Sequence, residues 1–296
     1  MSEEPTPTST QSLEEAESSS PLRAFFGLFI IPLLVVLICV GVFVGFGWIA
    51  YDRQDLDGYL NDLRSSWRPR RAQAAYELSK ILVADPEALS EQPGAAAEVR
   101  RLFLAAEDVE IKRYLALVLG YTHDPESVPV LADALAAEDD SQTRIYLLWA
   151  LGRTGDSSAV PALMGELDSE DSGIRKVAAY ALGELGDVAA VPRLEAMLVD
   201  GTADVRWNAA LAVSRLGSRE AAPVLHRMLD RELTGKIPEI TPDQQEETMI
   251  GALGALARID GSNALEIFER LAKSDPSYRV RQAAIDARKY VDGQKP

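Results

Sequence analysis

The chain has 296 residues, room for one extended repeat domain with appendages, and its 46 acidic against 30 basic side chains give a net charge of −16. That balance argues against a nucleic-acid groove, which needs clustered cations to displace counterions. The single cysteine, Cys39, excludes an intramolecular disulfide and a multi-cysteine metal site.

Residues 1–23 contain Ser, Thr, Pro and five glutamates against Arg23 alone, and lack the apolar material that offsets ordering entropy. They read as a disordered acidic tail. Without them the charge is −16 + 4 = −12, so the acidity belongs to the remainder too, as solubility or as an acidic docking surface. Residues 24–51 carry no charge, and 28 residues at about 1.5 Å each exceed a hydrocarbon core of roughly 30 Å. A transmembrane helix is expected there, retained as an anchor, since no basic n-region or convincing cleavage site marks a signal peptide. Trp48 and Tyr51 suit an aromatic belt. Gly41 and Gly45 have the spacing that lets two membrane helices touch, or are simply tolerated in a lipid-facing helix. Arg53, Arg64, Arg68, Arg70 and Arg71 outnumber Arg23 across the span, which predicts a single-pass cell-membrane protein with its main domain in the cytoplasm. The alternative is a periplasmic or extracellular domain.

Residues 52–296 are organised by a repeat. Ala150-Leu151-Gly152 recurs as Ala181-Leu182-Gly183 and, degraded, as Ala212-Val213-Ser214, while Pro161, Pro192 and Pro223 keep a step of 31 residues. A period of that size predicts an all-α solenoid, an alpha-alpha superhelix of about six helical hairpins, each unable to bury its apolar face alone. Within one unit, Asp171 is placed to cap a helix that carries Ile174, Ala178, Ala181, Leu182 and Leu185 at helical spacing. Gly183 makes sense if a neighbouring helix approaches closely, Gly186 is placed to end the helix, and Pro192 to open the next. Asp55 to Leu82 reads as a degenerate first unit. Ala255-Leu256-Ala257 stands 74 residues after Ala181, two periods plus 12, with the extra length around Thr234 to Pro242. That insertion is either a binding element or a solvated loop, and Thr241-Pro242 reads as a fresh helix start.

The recurring phrase Ile174-Arg175, Ala178-Ala179, Ala181-Leu182-Gly183, Leu185-Gly186-Asp187 and Pro192 resembles HEAT repeats of the short type found in phycobilisome-lyase-like proteins. The resemblance runs from about Asp55 to Val291 and implies the fold far more specifically than a function, because that family contains scaffolds, adaptors and a few enzymes.

Candidate sites follow from the period. A basic residue recurs at the second position of the inner helix (Arg71, Lys112, Arg144, Arg175, Arg206, Arg281), with Asp108, Asp140 and Asp171 four residues ahead of three of them. This reads as a ladder of local ion pairs and hydrogen bonds, or else as an anion site. Acidic turns such as Glu138-Asp139-Asp140 read as helix caps or as chance cation sites. Positions the core does not need bring Tyr114, Tyr146, Trp149, Arg153, Tyr180, Trp207 and Arg215 into register. Tyr, Trp and Arg often dominate interface energetics, so these seven are the candidate protein-binding residues, unless they pack between units.

His123 and His226 form no paired His-Glu motif, and no nucleophile motif, phosphate-binding loop or zinc spacing is present. The sequence therefore predicts a membrane-anchored, non-catalytic protein-interaction scaffold without cofactor, metal or small-molecule substrate. Its partner is another protein, a membrane complex among the options, and residues 24–51 meet the lipid bilayer. A lyase-like enzyme and an accessory structural subunit of a membrane complex are the alternatives.

Overall fold

The computed structural model describes residues 31–50, 56–89, 92–237 and 240–293, with side chains for 33–42 only in the first of these stretches. Two compact units divide the chain, Met1–Asp55 and Leu56–Pro296. The expected tail, residues 1–23, lies outside the described residues, as do 24–30 and 51 of the expected span.

In the first unit, helix α1 (Ile31–Ala50) contains no charged residue. Among the described residues no helix is long and apolar enough to cross a membrane. Leu33, Leu34, Val35, Val36 and Leu37 are all exposed, and nothing lies within 4 Å of where a Cβ on Gly41 would stand.

The second unit is built from helical pairs, and the described residues show seven where the period suggests about six. In order they are α2 (Leu56–Asp62) with α3 (Arg68–Ala84), α4 (Ala95–Leu104) with α5 (Val109–Gly120), and α6 (Ser127–Ala136) with α7 (Ser141–Arg153). Then come α8 (Val160–Gly165) with α9 (Ser172–Leu185), α10 (Val191–Ala196) with α11 (Ala203–Arg215), and α12 (Ala222–Met228) with α14 (Pro242–Ile259). The short helix α13 (Arg231–Thr234) interrupts this sixth pair, and α15 (Gly261–Ser274) with α16 (Tyr278–Gly293) ends the stack. Every second helix packs on the next, from α3 through α5, α7, α9, α11 and α14 to α16.

Local chemistry sets these elements. Asp108, Asp140 and Asp171 accept backbone N–H groups at the starts of α5, α7 and α9, satisfying donors that have no partner inside a helix. Pro161, Pro192 and Pro223 sit in the first turns of α8, α10 and α12, where a missing N–H costs little. Gly186 closes α9 in the left-handed region, with φ of 75°. Thr241 and Gln244 exchange hydrogen bonds in a capping box that restarts the chain as α14 after the insertion. The leucine columns are core: Leu163, Leu167, Leu194, Leu225 and Leu229 are buried, and Leu198 is half-buried.

The recurring glycines permit the stacking. Gly120, Gly152 and Gly183 face Ala150, Ala181 and Ala212 of the following helix with no room for a side chain between them. At the next step the glycine is replaced by Ser214, whose hydroxyl turns back to the Leu211 carbonyl. There the period breaks.

The recurring cations are structural in this fold, though their partners differ from the expected ones. The aspartates four residues ahead of them cap helices. Arg71, Arg175, Arg206 and Arg281 each donate to the carbonyls six and five residues earlier, tying down the turn inside their own pair. Arg175 also reaches forward to Asp200 at 2.9 Å, Arg144 to Glu166, and Lys112 to Glu138 at 3.9 Å, which stitches adjacent pairs together.

Candidate protein-binding face

The second helices place one aromatic side chain after another along the stack. Tyr76 on α3 meets Tyr114 on α5 edge to face, with centroids 5.4 Å apart, and Tyr114 meets Tyr146 on α7 at 6.3 Å. One turn further along α7, Trp149 packs on Tyr180 of α9 at 4.6 Å. Helical spacing brings this about, since residues three or four apart share a face and the period of 31 carries that face from one helix to the next. Trp149 is 37% exposed and Tyr76 39% exposed, whereas Tyr114, Tyr146 and Tyr180 are half-buried.

Cations cover these rings. The Arg113 guanidinium lies 5.8 Å from the Tyr146 centroid, Arg153 lies 4.9 Å from Tyr121, and Arg215 lies 5.5 Å from Tyr180. Arg153 and Arg215 share one carboxylate, Glu184, at 3.5 and 2.7 Å. Burial pushes the Tyr180 phenol above its ordinary value, and the charge of Glu184 adds to this. Tyr114 is raised by burial first and by its tyrosine neighbour Tyr146 second.

Six of the seven expected residues are therefore at least partly accessible on this face, and Trp207 is a correction. It is 9% exposed and belongs to the hydrophobic core. Its ring forms part of the wall of a cavity of about 410 Å³ whose other walls include Trp149, Tyr180, Met228, Ile240 and Gln244. Ile240 and Gln244, which share that wall with Trp207, come from the end of the insertion and the start of α14, which periodicity does not place. The sequence reading also missed Glu184 as the bridge between two arginines. Its column, one turn beyond Tyr180, is the signal that could have found it.

The acidic turns are occupied by the protein itself. Asp140 and Asp171 cap helices, Glu138 accepts the Asp140 N–H, and Asp168 pairs with Arg193 at 2.6 Å. Hydrogen bonds from Thr143, by side chain and backbone, hold Asp140 below the ordinary carboxylate range, and the Gly173 N–H does the same for Asp171. No group of three or more His, Cys, Asp or Glu side chains among the described residues is placed to hold a metal ion.

A solved complex of CpcE and CpcF of phycocyanin lyase from Nostoc sp. PCC7120 is similar in fold, with a TM-score of 0.53 at 20% identity over 80% of this chain and 94% of that one. A designed armadillo repeat protein in complex with the peptide (KR)4 gives a TM-score of 0.45 at 14% identity, covering 80% of this chain and 99% of that one. Human deoxyhypusine hydroxylase gives 0.33 at 19% identity, over 84% and 100%. At 20% identity the likeness to the CpcE and CpcF complex is one of fold. No curated protein matches the chain in sequence. The family model for HEAT repeats matches residues 97–176, 129–212 and 166–237, a continuous run through the middle of the stack. Glycine-spaced second helices and turn-binding arginines run through that matched stretch, and residues 97–237 are HEAT repeats.

Proposed function

We propose that the protein is a non-catalytic scaffold, anchored in the cell membrane by one helix, that docks another protein on the face of its second helices. The observation that carries this reading is the row Tyr76, Tyr114, Tyr146, Trp149 and Tyr180, which keeps aromatic surface accessible beyond what the core uses. Rigid aromatic side chains lose little conformational entropy on binding, which suits them to an interface. Anchoring is supported by the uncharged run 24–51, of which α1 is part. The arginines that follow that run support a cytoplasmic domain.

The test is a photo-crosslinking amino acid placed at position 149 in the full chain, in membranes, with position 188 as the control, because Val188 is exposed on a first-helix turn. The expected result is a discrete protein adduct from 149 and none from 188, lost when Tyr146 is changed to alanine. Identical patterns from both positions, or no adduct at 149, would refute the docking face. Labelling of a cysteine introduced near the C-terminus, from either side of the membrane, tests the anchoring and its orientation. Loss of membrane association on removing residues 24–51 separates the anchor from the rest.

A further inference from the structure

The last turns of four second helices carry Arg153, Glu184, Arg215 and Arg258, one repeat column once the 12 inserted residues are allowed for. Its formal charge is +3 − 1 = +2 in a chain of net charge −16. Cations at helix C-termini are favoured by the helix dipole, yet here they exceed the carboxylates available to them. Arg153 and Arg215 divide Glu184 between them, and Arg258 is exposed and makes no ion pair with any described residue. Tyr121 and Tyr180 lie under the Arg153 and Arg215 guanidinium groups. One helical turn away, on the same helices, run Trp149, Tyr180 and Leu211, which line the 410 Å³ cavity.

From this juxtaposition we infer that the docking face takes an acidic, aliphatic segment of the partner protein, with apolar side chains on the Trp149–Tyr180–Leu211 row and carboxylates on the Arg153–Arg215–Arg258 edge. The inference rests on the docking reading and adds the partner's chemistry to it. Charge complementarity selects the occupant. A basic segment would meet surplus cations on this edge, whereas an acidic one is repelled by most of the chain's surface and attracted here, which fixes its position and register. Arg153 and Arg215 each give one guanidinium nitrogen to Glu184, whereas the exposed, planar Arg258 guanidinium makes no ion pair with any described residue and can take a carboxylate through two N–H donors.

The experiment uses the detergent-extracted full chain and two fluorescent decapeptides, alternating Leu-Glu and alternating Leu-Lys. The Leu-Glu peptide is expected to bind, and Arg258→Glu to weaken it about tenfold in about 0.1 M salt. That difference should largely vanish in about 1 M salt, where the Debye length falls from about 10 Å to about 3 Å. Glu184→Gln, which raises the edge to +3, is expected to strengthen binding, and a gain of that kind cannot come from misfolding. Preference for Leu-Lys, or equal affinity in wild type and Arg258→Glu, overturns the inference. The crosslink at 149 is read separately, so an adduct that persists unchanged in Arg258→Glu would sink the acidic partner while leaving the docking face standing.

Discussion

Gly183 and Ala212 meet across a repeat boundary so closely that a methyl group on Gly183 would stand 2.7 Å from the Ala212 Cβ and 2.8 Å from its Cα. The contact explains why a residue of poor helix propensity sits in the last turn of α9, still inside the helix. Gly183→Ala gains about 1 kcal/mol of helix propensity but overpacks a backbone-backed contact at about 1–3 kcal/mol. A net loss of about 1 kcal/mol is expected in urea unfolding. Gly254 on α14 is the control, because a methyl there meets only the flexible Arg258 guanidinium, at 3.9 Å. Gly254→Ala should raise stability by up to about 1 kcal/mol. Equal effects at both positions would show that the boundary is not held by this approach.

That contact also marks how far the sequence is legible. Gly183 and Ala212 belong to the phrase that sets the period, so close stacking and the hairpin architecture can be read before any coordinates exist. The arginine partners cannot be read this way. A guanidinium that reaches back six and five residues does so only because a turn folds between the two helices, and local helical spacing points instead to the aspartate four residues ahead. The burial of Trp207 is illegible for a related reason, because residues of the insertion and of α14 share its cavity wall and an insertion has no period. The seventh pair is marked by Arg281, whereas α14 has no basic residue at that position, so the column of recurring cations counts one pair too few.

Trp149 and Trp207 should separate binding from folding. Trp149 is 37% exposed and stacks on Tyr180, so Trp149→Ala forfeits a ring pair of about 0.5–1.5 kcal/mol and less burial than Trp207 would lose. Trp207 is 9% exposed within the core, and Trp207→Ala should cost about 3 kcal/mol or more. Thermal melts by circular dichroism are expected to rank the two in that order, while crosslinking from position 76 ranks them oppositely once protein is matched for folded content. If Trp149→Ala proves as destabilising as Trp207→Ala, the first ring is also a packing residue and the aromatic row loses its best binding member.

Arg231 on α13 forms a two-pronged pair with Asp275, at 2.8 and 2.7 Å, and the Asp275 side chain is 1% exposed. This pair ties the interrupted sixth hairpin to the turn before α16. Arg231→Ala leaves a buried carboxylate with the Ser277 N–H as its remaining strong donor, which should cost about 3 kcal/mol. Arg231→Lys should recover only part of this, because one ammonium cannot reproduce the planar fork. Limited proteolysis around residues 235–241 is the sensitive readout, since loosening begins where the clamp is lost. An alanine variant that resists proteolysis like the wild type would show the clamp to be dispensable.

Acid should open the other end of the stack first. Glu98 on α4 accepts from Arg101 on its own helix and from Arg64, which follows α2, at 2.8–2.9 Å, and so links the first two pairs. Hydrogen bonds from Arg101 and then Arg64 hold its carboxyl at about 2, against an ordinary value of 4.5. Because the folded value is the lower one, the unfolded chain takes up the proton first. The contribution is therefore complete above about pH 5 and drains away as pH falls from the ordinary value towards 2. Asp108 follows the same sign, held down by Arg68 and then by the Ile111 N–H. Glu98→Gln removes the titrating group, so its stability deficit relative to wild type should be constant near neutrality and shrink steadily through that acidic window. A deficit that stays constant down to about pH 2 would mean that the ion pairs do not hold the first two hairpins together, and that their apolar contacts alone do.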